Sequence, residues 1–162
     1  MEIKSNTIPR ELVLFFEEPE RDFYIREIAR KLKINHTTVR QKLNKFVKEG
    51  FLKKEKLEGR IYSSYRLSEN KKSLNLKMYY NLEKIRISGL VEDLEEYYEY
   101  PTIVLFGSYS RAKDDKKSDI DLFILTEVRE EFNTKKYEKK LNRNLSLHVF
   151  NQTKFNNLLK KK

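Results

Sequence analysis

The sequence predicts an α+β protein built from two small domains. The first seventy or so residues show helical periodicity and end in two short β-like runs around a glycine-containing turn. After residue 100, apolar runs of strand length alternate with short helical segments, which is typical of a small mixed α/β sheet domain. The chain has 162 residues with 10 Phe and 10 Tyr, enough large side chains for two small cores.

Charge and composition restrict the class of protein and of partner. Lys and Arg number 35 against 25 Asp and Glu, a net charge of +10, and residues 30–60 alone hold 11 basic and 3 acidic residues. This excess predicts a polyanionic partner. The absence of cysteine excludes disulfides, thiolate zinc sites and a cysteine nucleophile. No apolar run approaches the ~20 residues of a membrane span, and we expect a cytoplasmic protein with no signal peptide and no membrane partner.

Three helices are predicted at the start of the chain. Pro9 opens the first helix and Pro19 ends it, because proline fits the first helical turn and disfavours continuation. Asp22 is the expected N-cap of the second helix. The third helix is predicted from Thr37, and Gly50 is its expected left-handed C-terminal residue.

Helix, short helix, turn, helix and basic hairpin is the element order of a winged helix-turn-helix, which residues 8–68 resemble. The resemblance implies binding of double-stranded DNA, with the third helix in the major groove and the hairpin on phosphates. The predicted DNA-binding residues are Thr37, Thr38, Arg40, Gln41, Asn44, Lys53, Lys54 and Arg60. A winged helix that contacts a protein instead of DNA is the alternative.

Residues 69–99 are predicted to be a helical connector between domain 1–68 and domain 100–162. Apolar side chains recur in it at helical spacing, and Gly89 interrupts the pattern. Such a stripe packs either against its own domain or against a second copy in a homodimer, and the sequence leaves both open.

Two aspartates start a strand in the second domain. Residues 101–106 are predicted to be a fully buried strand, and residues 117–125 a second one. Asp119 and Asp121 are two residues apart, so their carboxylates project from the same face. Because neighbouring carboxylates repel, a divalent cation stabilises them, and oxygen ligands suit Mg²⁺ or Mn²⁺.

A glycine-serine turn follows the first of these strands. Gly107 allows a sharp turn and the close approach of a phosphate. If residues 108–113 form a short helix, its first amides face phosphate oxygens. Together the turn and the aspartates predict a metal–triphosphate site at which an acceptor oxygen attacks the α-phosphorus.

The stretch from Leu105 to Leu122 resembles the signature of the DNA polymerase β-like nucleotidyltransferases, most closely the minimal bacterial and archaeal members. The signature is a Gly-Ser turn, about ten residues, then Asp-x-Asp on a strand, and the resemblance extends over roughly residues 87–155. It implies a nucleoside triphosphate as substrate or ligand. It also implies that the turn binds the triphosphate and that the aspartates are catalytic and hold the metal. The nucleotide-binding set is Gly107, Ser108, Arg111 and Ser118, with Arg111 alternatively bracing the short helix.

The chain departs from this family at two places. Ala112 stands where a glycine is usual, and the later strand 144–150 carries Ser146 and His148 where a third carboxylate is usual. His148 is either a replacement base or a polar residue on a half-exposed strand. Three functions follow: a nucleotidyltransferase, a catalytically silent DNA-binding regulator whose second domain senses nucleotide or dimerises, and a toxin–antitoxin component with a helical partner protein.

Overall fold

The structure, a computed structural model, describes residues 8–56, 59 and 61–160. Contacts divide the chain into two units, one ending at Tyr80 and the other starting at Asn81. This division falls within one long helix. The boundaries predicted after residues 68 and 99 stay predictions, and the two units are described separately here. No helix among the described residues combines the length and the apolar character needed to cross a bilayer.

The first unit contains three helices followed by a strand pair. The elements are α1 (Arg10–Glu17), α2 (Ile25–Leu32), α3 (His36–Lys48), β1 (Leu52–Glu55) and β2 (Ser64–Leu67), after which α4 (Lys71–Ser88) begins. β1 and β2 pair antiparallel, and Phe23 forms an isolated antiparallel bridge with Tyr65. The bridge ties the chain before α2 to the outer side of the strand pair.

The local signals that delimit these helices hold with one exception. Gly50 has φ +83°, the left-handed conformation expected after α3. The side chain of Asn35 accepts a hydrogen bond from the Thr37 amide and so caps α3. The expected cap of α2 is wrong: the N-cap residue is Tyr24, whose side chain does not cap the helix, while the Asp22 carboxylate accepts a bond from Arg66 at 3.2 Å. The Asp22 carboxylate therefore bonds Arg66 instead of the first amides of α2.

A three-stranded mixed sheet organises the second unit. Its elements after α4 are α5 (Leu90–Tyr97), β3 (Thr102–Phe106), α6 (Gly107–Ser110), β4 (Ile120–Leu125), α7 (Lys135–Leu141), β5 (Leu145–Phe150) and α8 (Gln152–Lys160). The strand order is β3-β4-β5, with β3 antiparallel and β5 parallel to β4. This is the small mixed sheet of the predicted fold class.

The sheet buries one face and leaves most of the other open, with Phe155 of α8 against Phe123 of β4 on that second face. Ile120, Leu122 and Ile124 of β4 are at most 2 % exposed and join residues of α5 and α7 in the core. On the opposite face Val104 is 46 % and Phe106 38 % exposed. The prediction that residues 101–106 form a fully buried strand is therefore wrong: β3 is an edge strand with one open face.

Candidate functional site

Asp121 lies near the start of β4, the central strand, on the open face of the sheet. In the strand register it is opposite Phe106 of β3 on one side and Ser146 of β5 on the other. Asp119 precedes β4 by one residue and shares the alternation of Asp121, so both carboxylates, each half-buried, belong to the same face. This places the two acids where the turn after β3 meets β4.

Gly107 is the residue that lets the turn approach Asp121. It has φ +77°, and a Cβ built on it would overlap Oδ2 of Asp121. Both the backbone conformation and the lack of space require glycine here. The Asp121 carboxylate is consequently packed directly against the backbone of the Gly-Ser turn.

Side-chain hydrogen bonds fix the geometry of this turn. Ser110 Oγ and Arg111 Nε donate to the Gly107 carbonyl at 3.0 and 3.1 Å. Asn81 of α4 donates from Nδ2 to the Tyr109 carbonyl at 2.9 Å and to Asp114 Oδ1 at 2.8 Å. Arg111 thus braces the turn, which is one of the two roles that the sequence suggested. The helix is shorter than the expected 108–113, because α6 ends at Ser110 and Ala112 is left-handed at φ +55°.

Ser118 organises the loop that leads to Asp119. Its hydroxyl donates to Asp115 Oδ1 at 2.9 Å and accepts from the Asp115 amide at 2.9 Å. The bond from Ser118, followed by the bond from the Lys117 amide, holds the pKa of the Asp115 carboxyl below its usual range. In this structure Ser118 is engaged in the loop, while the predicted nucleotide-binding residue Gly107 lies against Asp121.

Asn144 is a residue of the site that the sequence did not single out. Its side-chain Nδ2 donates to Asp119 Oδ1 at 3.0 Å, and its carbonyl accepts from the Ile120 amide at 2.9 Å. It directly precedes β5, and the parallel register with β4 brings it to the aspartates. That register was the missing signal, because the sequence alone does not show which strand edge β5 joins.

The β5 side of the site carries a hydroxyl and an imidazole instead of a third carboxylate. Ser146 is in register with Asp121, and His148 Nε2 lies 4.0 Å from Asp121 Oδ1. The His148 ring also contacts Phe106, with ring centroids 5.2 Å apart in an edge-to-face arrangement. Within the described part of the chain, no three His, Cys, Asp or Glu side chains are grouped so that they could hold a metal ion.

Two carboxylates suit a divalent ion whose remaining coordination positions are filled by a bound ligand. Mg²⁺ is commonly held by one or two carboxylates together with substrate phosphates and water, and seldom by an all-protein cage. Asp119 and Asp121 provide that donor set, and Gly107 brings the backbone of the turn against the Asp121 carboxylate. The residues present therefore fit Mg²⁺ or Mn²⁺ bound together with a triphosphate.

Comparison with known families agrees with this geometry. Residues 87–162 match the family model of the nucleotidyltransferase domain. A search of curated proteins finds no match to the chain. The family match covers the sheet, the Gly-Ser turn and both aspartates, and supports the nucleotidyltransferase resemblance for that part of the chain. A nucleotidyltransferase domain implies a nucleoside triphosphate as substrate.

A second candidate site is a groove of the first unit with a volume of about 910 Å³. Side chains of α2, α3, β1 and the segment before β2 line it. Its cations are Arg26, Arg30, Lys33, Arg40 and Lys54. No carboxylate is among the described residues that line the groove, so they give it an uncompensated positive charge. Tyr62, which is 58 % exposed, contributes an aromatic ring with the Arg26 guanidinium 5.2 Å from its centroid.

The structure brings together only part of the predicted DNA-binding set. Arg40, Asn44 and Lys54 line the groove, and Asn44 Oδ1 accepts a bond from the Tyr65 hydroxyl at 3.3 Å. Thr37, Gln41 and Lys53 are exposed and Thr38 is half-buried, and none of these four residues lines the groove. Arg60 lies outside the described residues. Arg26 and Arg30 of α2 and Lys33, which follows the helix, also line the groove and were missed. The spacing of Arg26 and Arg30 was a usable signal, since residues four apart share a helix face.

Proposed function

We propose that the second unit binds a nucleoside triphosphate with Mg²⁺ and transfers a nucleoside monophosphate to an acceptor hydroxyl. The observation that carries the proposal is the packing of the Asp121 carboxylate against the Gly107 backbone, with Asp119 on the same face. This juxtaposes two oxygen ligands for a cation with the backbone of the Gly-Ser turn. The nucleotidyltransferase family match over residues 87–162 supports the same function.

Each part of the site has a separate task in this proposal. Asp119 and Asp121 hold the ion, and Gly107 and Ser108 receive the β- and γ-phosphates. The ion, when bound, neutralises charge on the phosphates and on the departing pyrophosphate. Arg111 and Asn81 keep the turn in place through bonds to the carbonyls of Gly107 and Tyr109. The chain's own contribution is positioning, which accounts for most of the catalysis of phosphoryl transfer.

The proposed reaction exchanges a phosphoanhydride bond of the triphosphate for a phosphoester bond to the acceptor. The acceptor oxygen forms a bond to the α-phosphorus, and the bond from that phosphorus to the β-bridging oxygen breaks. Pyrophosphate leaves with the electron pair, and the hydroxyl proton passes to solvent. The acceptor comes from a partner macromolecule or a small molecule.

Titration calorimetry with ATP, GTP, CTP and UTP in the presence of Mg²⁺ tests the proposal. We expect binding of at least one triphosphate, and we expect Asp119→Asn combined with Asp121→Asn to abolish it. Glu92→Gln combined with Glu96→Gln is the matched control, since it removes the same charge from exposed positions on α5. Triphosphate binding that survives the aspartate double substitution would contradict the proposal. Labelled triphosphate incubated with cell extract then reveals the acceptor.

A nucleotide-binding regulator without transfer activity is the alternative, either sensing nucleotide or mediating dimerisation. The observation that favours it is Ser146 in register with Asp121, the position facing the site from β5, where no carboxylate stands. A toxin–antitoxin component with a helical partner protein is compatible with either activity. Mg²⁺-dependent triphosphate binding without any labelled product would support the regulator.

We also propose that the first unit binds double-stranded DNA as a winged helix-turn-helix over residues 1–68, with 69–99 as connector and 100–162 as the nucleotidyltransferase domain. The basic groove between α2, α3 and the strand pair supports this, because clustered Lys and Arg without carboxylates attract phosphates. We expect Arg30→Ala combined with Arg40→Ala to weaken duplex binding in fluorescence anisotropy. Lys45→Ala with Lys48→Ala, on α3 outside the groove lining, is the control. Failure to bind duplex DNA at low salt would favour a protein-contact module.

A further inference from the structure

We propose that Asn144 is a positioning residue for Asp119 in the metal–triphosphate site, an inference that rests on the proposed function. Asn144 touches neither phosphate nor ion in this proposal. It acts through Asp119, whose carboxylate it orients. It is therefore a determinant of metal affinity contributed by the residue before β5, the strand that lacks the usual third acid.

Two hydrogen bonds from the same residue fix the start of the aspartate pair. The Asn144 amide donates to Asp119 Oδ1 at 3.0 Å, and its carbonyl accepts from the Ile120 amide at 2.9 Å. Ile120, which is fully buried, lies between the two aspartates. Side chain and backbone of Asn144 thus hold Asp119 and the residue after it in one arrangement, which leaves Asp119 Oδ2 for the ion.

Asn144 can orient Asp119 because its own position is fixed. Glu138 of α7 binds the chain on both sides of it: its Oε1 accepts from the Leu145 amide at 3.2 Å, and its carbonyl from the Arg143 amide at 3.2 Å. Thr134 Oγ1 donates to the same Glu138 oxygen at 3.1 Å. The turn from α7 into β5 is therefore anchored at two points by a glutamate that Thr134 holds in place, and the Asn144 side chain projects from a fixed backbone.

The chemistry of an amide suits this task better than that of a cation. A lysine or arginine at this position would fix the carboxylate equally well, but its charge would compete with the metal ion for the same oxygens. The neutral amide restricts rotation of the Asp119 carboxylate and leaves its charge available. Residues that orient ligands in this way typically change metal affinity by about 10–100-fold when removed.

Calorimetric measurement of Mn²⁺ binding to the full chain in the presence of ATP tests the inference. We expect Asn144→Ala and Asn144→Leu to weaken Mn²⁺ binding at fixed ATP by about tenfold or more. The backbone bond to Ile120 remains in both variants, so thermal unfolding midpoints should stay near that of wild type. Asn144→Gln keeps the amide and should recover part of the affinity, which a purely structural role would not produce. Asn156→Ala on exposed α8 is the control.

The outcomes separate this inference from the function on which it rests. If wild type binds no Mn²⁺ with ATP or with any of GTP, CTP and UTP, the proposed function and this inference both fall; if it binds with one of the others, the variants are compared with that triphosphate. If wild type binds and the folded Asn144→Ala and Asn144→Leu variants bind equally well, the inference alone is overturned. If Asn144→Ala does not fold, Asn144→Leu is compared with Asn144→Gln instead. Equal loss of Mn²⁺ affinity in these two variants would contradict orientation of Asp119 by the amide.

Discussion

Ser146 of β5 and Asp121 of β4 are register partners on the open face of the sheet. An acid introduced at Ser146 would stand beside Asp121 and complete a set of three carboxylates. We expect Ser146→Asp to lower stability without metal, since like charges repel, and to tighten Mg²⁺ binding when triphosphate is present. Calorimetry and thermal unfolding with and without Mg²⁺ measure both effects, and Ser146→Asn is the neutral control.

Transfer activity in the Ser146→Asp protein is the informative readout. A gain of labelled product would show that the wild-type site lacks only this acid. Tighter metal binding without product would support the regulator, and unchanged metal binding would contradict the placement of Ser146 at the site.

Gly107→Ala should lower the free energy of unfolding for two reasons, which a control variant can separate. The added Cβ meets Asp121 Oδ2, and the residue has φ +77°. Gly89 has φ +78° with no atom within 4 Å of an added Cβ, so Gly89→Ala reports the strain of the backbone alone, about 1 kcal/mol. We expect Gly107→Ala to exceed it by 1 kcal/mol or more, roughly the cost of crowding a packed site.

A double-mutant cycle with Asp121→Ala completes this test. Shortening residue 121 should remove the steric part of the Gly107→Ala effect and leave the part due to φ. Equal effects of Gly107→Ala in both backgrounds, measured by urea unfolding, would refute the close packing of these two residues.

Glu11 is a buried carboxylate whose partner is on another helix. Its side chain is 2 % exposed, and Lys42 Nζ of α3 lies 2.7 Å from its Oε1. Because removing one member strands the other, we expect Lys42→Met to destabilise the first unit by roughly 2 kcal/mol, reduced by the 46 % exposure of Lys42. Lys45→Met, at a side chain that is 71 % exposed, is the control.

Two outcomes of this experiment are distinguishable. Glu11→Leu combined with Lys42→Met should recover most of the loss in urea unfolding, since no unpaired charge remains buried. A Lys42→Met protein as stable as the Lys45→Met protein would mean that the ion pair contributes nothing.

Neighbouring lysines of β1 should differ in their effect on DNA binding. Lys54 lines the basic groove, whereas Lys53 is exposed and does not line it. We expect Lys54→Ala to weaken duplex binding at all sequences and to reduce the salt slope by about one, because one phosphate contact is lost. Lys53→Ala is the matched control, and equal effects of the two substitutions would place the phosphate contacts outside the groove.

Acid should weaken the attachment of α5 to α7. Hydrogen bonds from Lys136, and then from Tyr137, lower the pKa of the Asp93 carboxyl. A lowered pKa in the folded state means that the stabilisation is complete above the ordinary aspartate value of about 3.9 and is lost as the pH falls through the lowered pKa. The same contacts raise the pKa of Lys136 to about 12, so its contribution is lost only in strong alkali.

Chemical unfolding between pH 2 and 7 measures the Asp93 effect. Asp93→Asn should be less stable than wild type at neutral pH, and the difference should shrink at low pH. A difference that is constant over this range would contradict the stabilising role of the charged carboxylate.

Local signals predicted elements better than they predicted neighbours. The later strand, expected at 144–150, lies at Leu145–Phe150, because apolar periodicity and turn residues depend on nearby sequence. The exposed face of β3 was missed, since four consecutive apolar residues do not reveal that a strand lies at an edge. Asn144 and the α2 cations were missed for a related reason: their roles depend on which elements the tertiary structure brings together.

The contact between position 107 and position 121 also constrains how this sequence can change over generations. A side chain at 107 is admissible only after the carboxylate at 121 has been shortened, while an acid at 121 is admissible only opposite glycine. The two sites should therefore vary as a pair among descendants of this gene. A lineage that abandons nucleotide chemistry would be expected to lose the aspartate first, and only then to relax at the glycine.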